Sequence, residues 1–575
     1  MAGFGGDEVT AITARPITAV PITARPITAR RIGEGDGPSV RTLLSVALQS
    51  TLVPGIATGS GTPTYTRSTV ATVTDFEGLV KNVLSGEARF MGARRVRNLF
   101  SSSATLATQG VTVVVGRSYR ISFSGTGTIT LSGAATGSLA GTSGQRSAMN
   151  VVTATTTTLT CTVSGTVTNA QCEDVTGQSN QNPSEYVSTG VLSAPYHGAG
   201  VDGVKYFTTN NGNTVSSNIV TEATGAAIGA SDYYADASGP YGYVSEGART
   251  NLILWSRDFS NAAWTKTAAT VSANAIASPD GSMSADKIIP TVSATSHWLS
   301  QTTSVSLGVN YTKTFYVKAG GYNFIQITGS TGFDTQYANF NLSTGAIGNI
   351  SGPGITATIR AVGNGWYRVS ATLACILTTV VGRMLIAVSD ADYAARLPSF
   401  TGDGTSGVYL WGAQIEAGSF ASTYIPTTTT AVTRNATVGN YPVTDNMPTN
   451  NAQIQLEWTP LQAGMGTVYL WGSYVDANNG TSILHDGTNI IFRKRISGTN
   501  YDSTKSLTYT AGTTYTVKAT ASDSAGIMIA VDGVDGTGHA NTTAMQLGST
   551  FSVGTDGNGG GQASSAIRNL EHRTL

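Results

Sequence analysis

The segment Gly92-Ala93-Arg94-Arg95-Val96-Arg97-Asn98-Leu99 returns in shortened form as Gly247-Ala248-Arg249-Thr250-Asn251-Leu252, and the echo continues downstream. Ala170-Gln171-Cys172-Glu173 is matched by Ala413-Gln414-Ile415-Glu416, and Glu185-Tyr186-Val187-Ser188-Thr189 by Thr423-Tyr424-Ile425-Pro426-Thr427. One element therefore opens and closes two modules, 97–190 and 250–428. Inside them lie short alternating runs such as Ser118-Tyr119-Arg120-Ile121-Ser122-Phe123, Thr314-Phe315-Tyr316-Val317-Lys318 and Trp366-Tyr367-Arg368-Val369-Ser370. A period of two, punctuated by glycine, is the pattern of strands buried on one face, as in a sandwich of antiparallel sheets. Opening and closing strands that lie side by side bring both ends of a module together, so such modules can be strung in a line.

Composition extends this reading to the whole chain. Charged residues make up 11% of it, against roughly 25% in average soluble domains. Lys+Arg and Asp+Glu balance at 33 each, which leaves no net field to draw in nucleic acid or an anionic membrane. With 68 glycines and many Thr-rich runs, the predicted fold class is all-β. The most apolar short stretch, residues 43–52, is broken by Ser45, Gln49 and Ser50 and falls far short of the ~20 residues that cross a bilayer. No membrane insertion is expected. Met1-Ala2-Gly3-Phe4-Gly5-Gly6-Asp7 has neither a basic nor an apolar region, so no signal peptide is expected and synthesis is placed in a cytoplasm. Cys161, Cys172 and Cys375 read as buried free thiols rather than a disulfide framework.

Residues 1–38 form an extended arm in which Pro16, Pro21 and Pro26 recur at one phase of a five-residue Pro-Ile-Thr-Ala period. Each proline removes a donor and fixes φ, excluding a helix or a central strand. Such a ribbon has no core to offset its ordering entropy. It is expected to take shape by docking, with Arg15, Arg25, Arg30 and Arg31 pairing with acidic grooves on a partner. Residues 39–96 read as an anchor with two short helices, 39–52 (Val40, Leu43, Leu44, Leu48) and 75–84 (Phe76, Leu79, Val80, Val83), from helical spacing. Residues 191–249 are a Gly/Asn/Tyr-rich connector and 429–448 a Thr-rich linker. The last unit, 449–575, alternates over Ala452–Trp458, enters an Asp532-Gly533 turn after Ile527–Val531, and closes on Ile567-Arg568-Asn569-Leu570.

Several of these segments resemble the phage head-spike or fibre domain. The similarity runs through Arg249-Thr250-Asn251-Leu252, Trp255-Ser256-Arg257-Asp258-Phe259-Ser260-Asn261-Ala262-Ala263-Trp264 and Tyr316-Val317-Lys318-Ala319-Gly320. It continues through Asn341-Leu342-Ser343-Thr344-Gly345, Gly363-Asn364-Gly365-Trp366-Tyr367-Arg368 and the stretch 402–418 that contains Tyr409-Leu410-Trp411-Gly412-Ala413. The region 171–217, with Ser184-Glu185-Tyr186-Val187-Ser188 and Tyr196-His197-Gly198-Ala199, is similar to phage virion proteins. Residues 449–575 resemble a laminin-G or concanavalin-type lectin domain through Ala530-Val531-Asp532-Gly533. These resemblances imply a carbohydrate-binding jelly roll within a tailed-phage structural protein, with a lectin-like tip. On that reading the protein is a non-enzymatic fibre or spike, located in the virion and attached at head or neck. It is a homotrimer, docked through its arm to capsid, neck or portal-proximal proteins and adhering to host-surface glycan. A tail fibre or other receptor-binding protein, a glycan-depolymerising tailspike and a capsid-cementing protein are the alternatives.

Candidate chemistry is sparse. His197, His297, His485, His539 and His572 are scattered without metal-ligand spacing, and no nucleophile elbow, phosphate loop or zinc pattern occurs, so no cofactor or metal is expected. Glycosidases need two carboxylates ~5–9.5 Å apart; the best acidic cluster is Asp232, Asp236 and Glu246 among Tyr233, Tyr234, Tyr241 and Tyr243, where loop solvation is the simpler reading. Trp366, Trp411 and Trp458 read as core, and Trp255, Trp264 and Trp298 as core or inter-subunit. For glycan contact the expected residues are Tyr474, Asp476, Asn478, Asn479 and Asp486, on one loop that runs on into His485-Asp486-Gly487. An aromatic face with amide and carboxylate partners suits a sugar. Asp476, Asn478 and Asp486 also have oxygens suited to Ca²⁺, although polar turns account for them more simply.

Overall fold

In a computed structural model the described residues are 41–46, 56–142, 146–184, 186–189, 203–207, 220–222, 227–228, 242–377, 381–556, 560–562 and 564–575. Arg15, Pro16, Pro21, Arg25, Pro26, Arg30 and Arg31 of the arm lie outside them, as do His197, Asp232 and Asp236. Every described element is a strand, and the sheets, antiparallel apart from the pairing of Arg146–Ala148 with Val220–Glu222, pack as sandwiches, as the alternation predicted.

In the first sandwich a four-stranded sheet containing Thr128–Gly133 and Thr158–Ser164 packs on a six-stranded sheet built around Ser118–Ser124. Ile129, Leu159 and Cys161 from one sheet meet Ile121, Phe123 and Cys172 from the other in a single core. The second sandwich joins two six-stranded sheets, with Phe315, Val317 and Val369 packed against Ile325, Phe340 and Ile386. The last pairs a nine-stranded with a seven-stranded sheet around Leu456, Trp458, Trp471, Ile483 and Phe551. Along Ala452–Pro460 the inward residues Ala452, Ile454, Leu456 and Trp458 are buried and alternate with half-buried polar ones. Asp532 (φ 49°) and Gly533 (φ 79°) form the two-residue turn that returns Val531 onto Val534. All three cysteines are free and buried.

Neither predicted helix forms among the described residues: the described part of 39–52 is a strand, and 75–84 is a turn followed by a strand. Thr42–Val46 pairs with the last strand, Ser565–Thr574, setting Leu44 opposite His572 and Val46 opposite Leu570. Leu44 and Val46 are fully buried in the core of the last sandwich, so the inward set follows period two despite the helical spacing of the leucines. Over 75–84 the backbone turns at Gly78 (φ 84°), and Val80–Val83 pairs back onto Ala71–Thr74. The last sandwich draws further strands from Phe90–Met91 and Gly242–Ser245, which pair with each other while Gly242–Ser245 also joins Ser565–Thr574. Its seven-stranded sheet takes in Val438–Pro442 and Thr64–Thr66.

The sequence repeat is a hydrogen-bond lock that closes each of the first two sandwiches. Asn98 Nδ2 donates to the carbonyls of Ala170 (2.8 Å) and Val187 (2.9 Å), and its Oδ1 accepts from the amides of Phe100 and Cys172 (both 3.1 Å). Asn251 repeats the set, donating to Ala413 (3.0 Å) and Ile425 (2.8 Å) and accepting from Ile253 and Ile415 (both 3.2 Å). Gln171 accepts from the Val187 amide and donates to Glu173, as Gln414 does with Ile425 and Glu416. The Tyr186 hydroxyl meets Ser103 Oγ at 2.8 Å, and Tyr424 meets Ser256 at 2.6 Å. The amides and carboxylates of the repeat thus satisfy backbone where opening and closing segments meet, and each phenol holds a serine whose Oγ accepts from a backbone amide, Thr189 or Thr427.

A second repeated device spans all three sandwiches. The amides of Val114, Ser306 and Thr510 donate to the hydroxyls of Tyr119 (2.8 Å), Tyr311 (2.9 Å) and Tyr515 (2.9 Å). Between each amide and its tyrosine sits a glycine with positive φ: Gly116 (79°), Gly308 (79°) and Gly512 (84°). The phenol pins the turn that leads into a central strand, and the left-handed backbone requires glycine.

Candidate functional site

Glu246, read from sequence as part of an acidic cluster, is instead the centre of a buried ionic weld. Its Oε2 pairs with Arg89 Nη1 at 2.7 Å and with Arg434 Nη1, and accepts from Thr423 Oγ1 at 2.7 Å. Its Oε1 accepts from the Thr423 amide at 2.9 Å. Arg434 also donates to the Gly247 carbonyl at 2.7 Å, and Arg89 to Thr72 at 3.3 Å. Both guanidinium side chains are fully buried. Burial alone would raise the Glu246 pKa, but the two cations and Thr423 outweigh it and hold the carboxyl at about 2. Arg434 is drawn down to about 10 by burial, which its pairing with Glu246 only partly offsets. The weld joins the strand pair 71–83, the segment around Arg89, the non-strand segment at Thr423 and the strand Val432–Arg434.

A second ionic bridge links the first two sandwiches. Arg117 reaches Asp174 in its own sandwich and Asp280 in the next, both at 2.9 Å, while Arg257 approaches Asp280 at 3.4 Å. Gly177 and Gly281 abut there so closely that a Cβ on Gly177 would meet the Gly281 Cα at 2.4 Å.

Beside the weld lies a cleft of about 680 Å³ between the second and last sandwiches and the 71–83 hairpin. Tyr316 and Tyr424 wall it on one side, Gln462 and Ala463 on another, and Thr358, Arg360 and Arg368 run along one edge. Tyr316, Tyr424, Trp411 and Trp366 form their own buried cluster with Val80, outside the second sandwich core but covered by the hairpin. Arg360, Ala361 and Ala463 are exposed, so the cleft is open at its rim. A neighbouring cavity of about 480 Å³ shares Glu77, Gly78, Val362 and Gly363 with it. The pinch between the two is the contact of Gly78 with the Val362 carbonyl, which a Cβ would approach to 2.7 Å.

Asp75 lines the cleft and folds its own turn, accepting from the amides of Glu77 and Leu79 (both 2.9 Å), with Lys81 3.9 Å away. Burial is the dominant effect and raises its carboxyl to about 6 from 3.8. A raised carboxyl pKa makes the fold most stable below the unfolded value, with stability lost as pH rises toward 6. Asp75→Asn keeps the Oδ1 acceptor and removes the charge. The variant is expected to be more stable than wild type by on the order of 2 kcal/mol at pH 8 and equal to it near pH 3.5. Urea midpoints at the two pH values measure this, and a constant difference across the range contradicts it.

The residues expected to contact glycan are not one site. Asp476, Asn478 and Asn479 form the turn at one end of the strand Asn479–His485, and Asp486 forms the turn at the other. A strand of seven residues separates its ends by about 20 Å. Asp476 accepts from the Asn478 amide (2.7 Å) and from Asn479 Nδ2 (3.0 Å), and Asp486 from the amides of Thr488 (2.9 Å) and Asn489 (2.8 Å). Both carboxyls titrate below their ordinary value: Asp476 through Asn479 and Asn478, Asp486 to about 2 because its turn amides outweigh partial burial. A Ca²⁺ ion shared by Asp476, Asn478 and Asp486 is excluded by that separation. Among the described residues, no group of three or more His, Cys, Asp or Glu is placed to hold a metal. Trp366, Trp411, Trp458 and Trp264 are buried, Trp255 and Trp298 partly so. His297, His485 and His572 are buried, each bonded to a backbone carbonyl.

No protein-family model matches the chain, and no curated protein matches it. Among solved structures, the mouse laminin alpha1 chain, domains LG4-5, aligns at 13% identity over 49% of this chain and 85% of that one, with a TM-score of 0.18. The LG1-3 region of the laminin alpha2 chain aligns at 9% identity over 84% of this chain and 96% of that one, with a TM-score of 0.17. At TM-scores of this size the superposition transfers neither topology nor ligand, and the all-β architecture rests on the strands themselves.

Proposed function

We propose that this chain is a structural fibre or spike protein of a tailed-phage virion that adheres passively to host-surface glycan. The phage assignment comes from the sequence resemblance over 249–418 and 171–217. The observation that carries the passive reading is the fate of the carboxylates: Glu246, Asp280, Glu173 and Glu416 are each bound into structural bridges or backbone locks. Ionic bridges and shared strands that tie the sandwiches together suit an appendage that must transmit force without unfolding. The arm docks the protein to capsid, neck or portal-proximal proteins, and three copies assemble so that weak glycan sites act together through effective concentration. Host capsular polysaccharide and O-antigen incubated with the purified protein are expected to be retained by it with unchanged chain length. Immunogold labelling with antibody to the second sandwich is expected to decorate the head or neck of intact particles. A fall in polymer length, or unlabelled particles, overturns the proposal.

A further inference from the structure

We infer that the cleft between the second and last sandwiches is the glycan site, and that it takes an uncharged oligosaccharide. This inference rests on the adhesion reading above. The volume of about 680 Å³ falls within the roughly 300–1,000 Å³ of small-molecule sites. Two polar atoms in its wall are buried without a hydrogen-bond partner: Glu77 Oε2, an acceptor, and Arg368 Nε, a donor. The neighbouring Glu77 Oε1 and Arg368 Nη2 are engaged elsewhere. Glu77 Oε1 accepts from the Ser179 amide at 3.0 Å, and Arg368 Nη2 donates to the Ser422 carbonyl.

A buried orphan acceptor and a buried orphan donor each cost free energy until something fills them. The occupant must therefore both donate and accept, which a sugar hydroxyl does with one group. A phosphate or carboxylate ligand would meet the bare Glu77 oxygen with like charge. A purely apolar ligand would leave both orphans unfilled. Tyr316 lies in the cleft wall with its ring buried and the Arg368 guanidinium 5.5 Å from its centroid, so it backs the orphan donor rather than offering a free face. Thr358 and Gln462 supply further neutral hydroxyl and amide partners.

The test uses the full chain on an array of O-antigen and capsule oligosaccharides. Ala361→Trp places a large ring on the exposed rim, where no core is disturbed. Glu77→Gln changes the orphan acceptor while keeping the side chain's size. Asp476→Ala alters the distant hairpin turn as a comparator. Both cleft variants are expected to lose at least tenfold in affinity for the oligosaccharides that wild type captures, with Asp476→Ala unchanged and all three variants melting as folded proteins. Wild-type capture that survives both cleft substitutions overturns the cleft assignment and leaves adhesion standing. Capture lost only in Asp476→Ala moves the site to the hairpin and likewise overturns it. Silence of the wild-type protein on the array overturns both readings.

Discussion

Glu246→Gln is expected to lower the stability of the folded chain by about 3–5 kcal/mol, the usual cost of breaking a buried pair from one side. The substitution is close to isosteric, so it leaves no cavity. What it leaves is two fully buried guanidinium groups, Arg89 and Arg434, with no anion between them. The arithmetic of the weld makes a sharper prediction. Two cations share one carboxylate, so Arg434→Met leaves a matched Arg89–Glu246 pair and should cost markedly less than Glu246→Gln. The pH dependence has a defined sign. The Glu246 pKa is held at about 2, below its ordinary 4.5, so its contribution is complete above pH 4.5 and vanishes as pH falls through 2. The stability gap between wild type and Glu246→Gln should therefore be largest at neutral pH and close towards pH 2. Urea titrations at pH 7 and pH 2.5, read at the lowest-midpoint transition, measure both statements. A gap under about 1 kcal/mol at pH 7 would falsify the weld as a stabilising centre, because buried unpaired charge cannot be that cheap.

The sequence revealed what local chemistry encodes and hid what depends on distant pairing. Asn98 and Asn251, with Gln171, Gln414, Tyr186 and Tyr424, were legible as a repeat because the lock needs those side chains at those spacings. Ala452–Trp458 was legible because one face is buried and the other is not, and Asp532-Gly533 because few other dipeptides take two positive φ values in succession. Leu44 misled because Val40, Leu43, Leu44 and Leu48 fit a helix as written, while the partner that makes Leu44 a strand residue is His572 at the other end of the chain. Glu246 misled for the same reason: its sequence neighbours are acidic and aromatic, but its partners are Arg89 and Arg434. Tyr474 to Asp486 read as one loop because polar residues dominate it, yet its middle is the strand Asn479–His485. The glycine–tyrosine corner of the three sandwiches was open to discovery, since Gly116-Arg117-Ser118-Tyr119, Gly308-Val309-Asn310-Tyr311 and Gly512-Thr513-Thr514-Tyr515 share one spacing. The cleft had no sequence signal at all, because its walls come from stretches of chain as far apart as Thr72, Thr358, Thr423 and Gly512.

Asn251→Ala is expected to destabilise the second sandwich by about 3–5 kcal/mol, since it orphans four backbone groups at once and each buried orphan costs roughly 1–3 kcal/mol before local relaxation. Asn251→Asp should do no better. It keeps the acceptor but replaces the amide donor, so a second oxygen faces the carbonyls of Ala413 and Ile425. The repeat supplies an internal control in Asn98→Ala, which removes the same four bonds from the first sandwich. If the lock is purely structural, each substitution should raise amide exchange in its own sandwich and leave the other protected, and the two costs should add in the double variant. Hydrogen exchange read by mass spectrometry over the described parts of 97–190 and over 250–428 separates the cases. Exchange that spreads from Asn98→Ala into the second sandwich would show that the Arg117–Asp280 bridge couples the two into one cooperative body. That outcome would move the mechanical unit of the appendage from the single sandwich to the pair. A cost below about 1 kcal/mol at either asparagine would instead show that water replaces the lock, and the repeat would then need a reason other than closure.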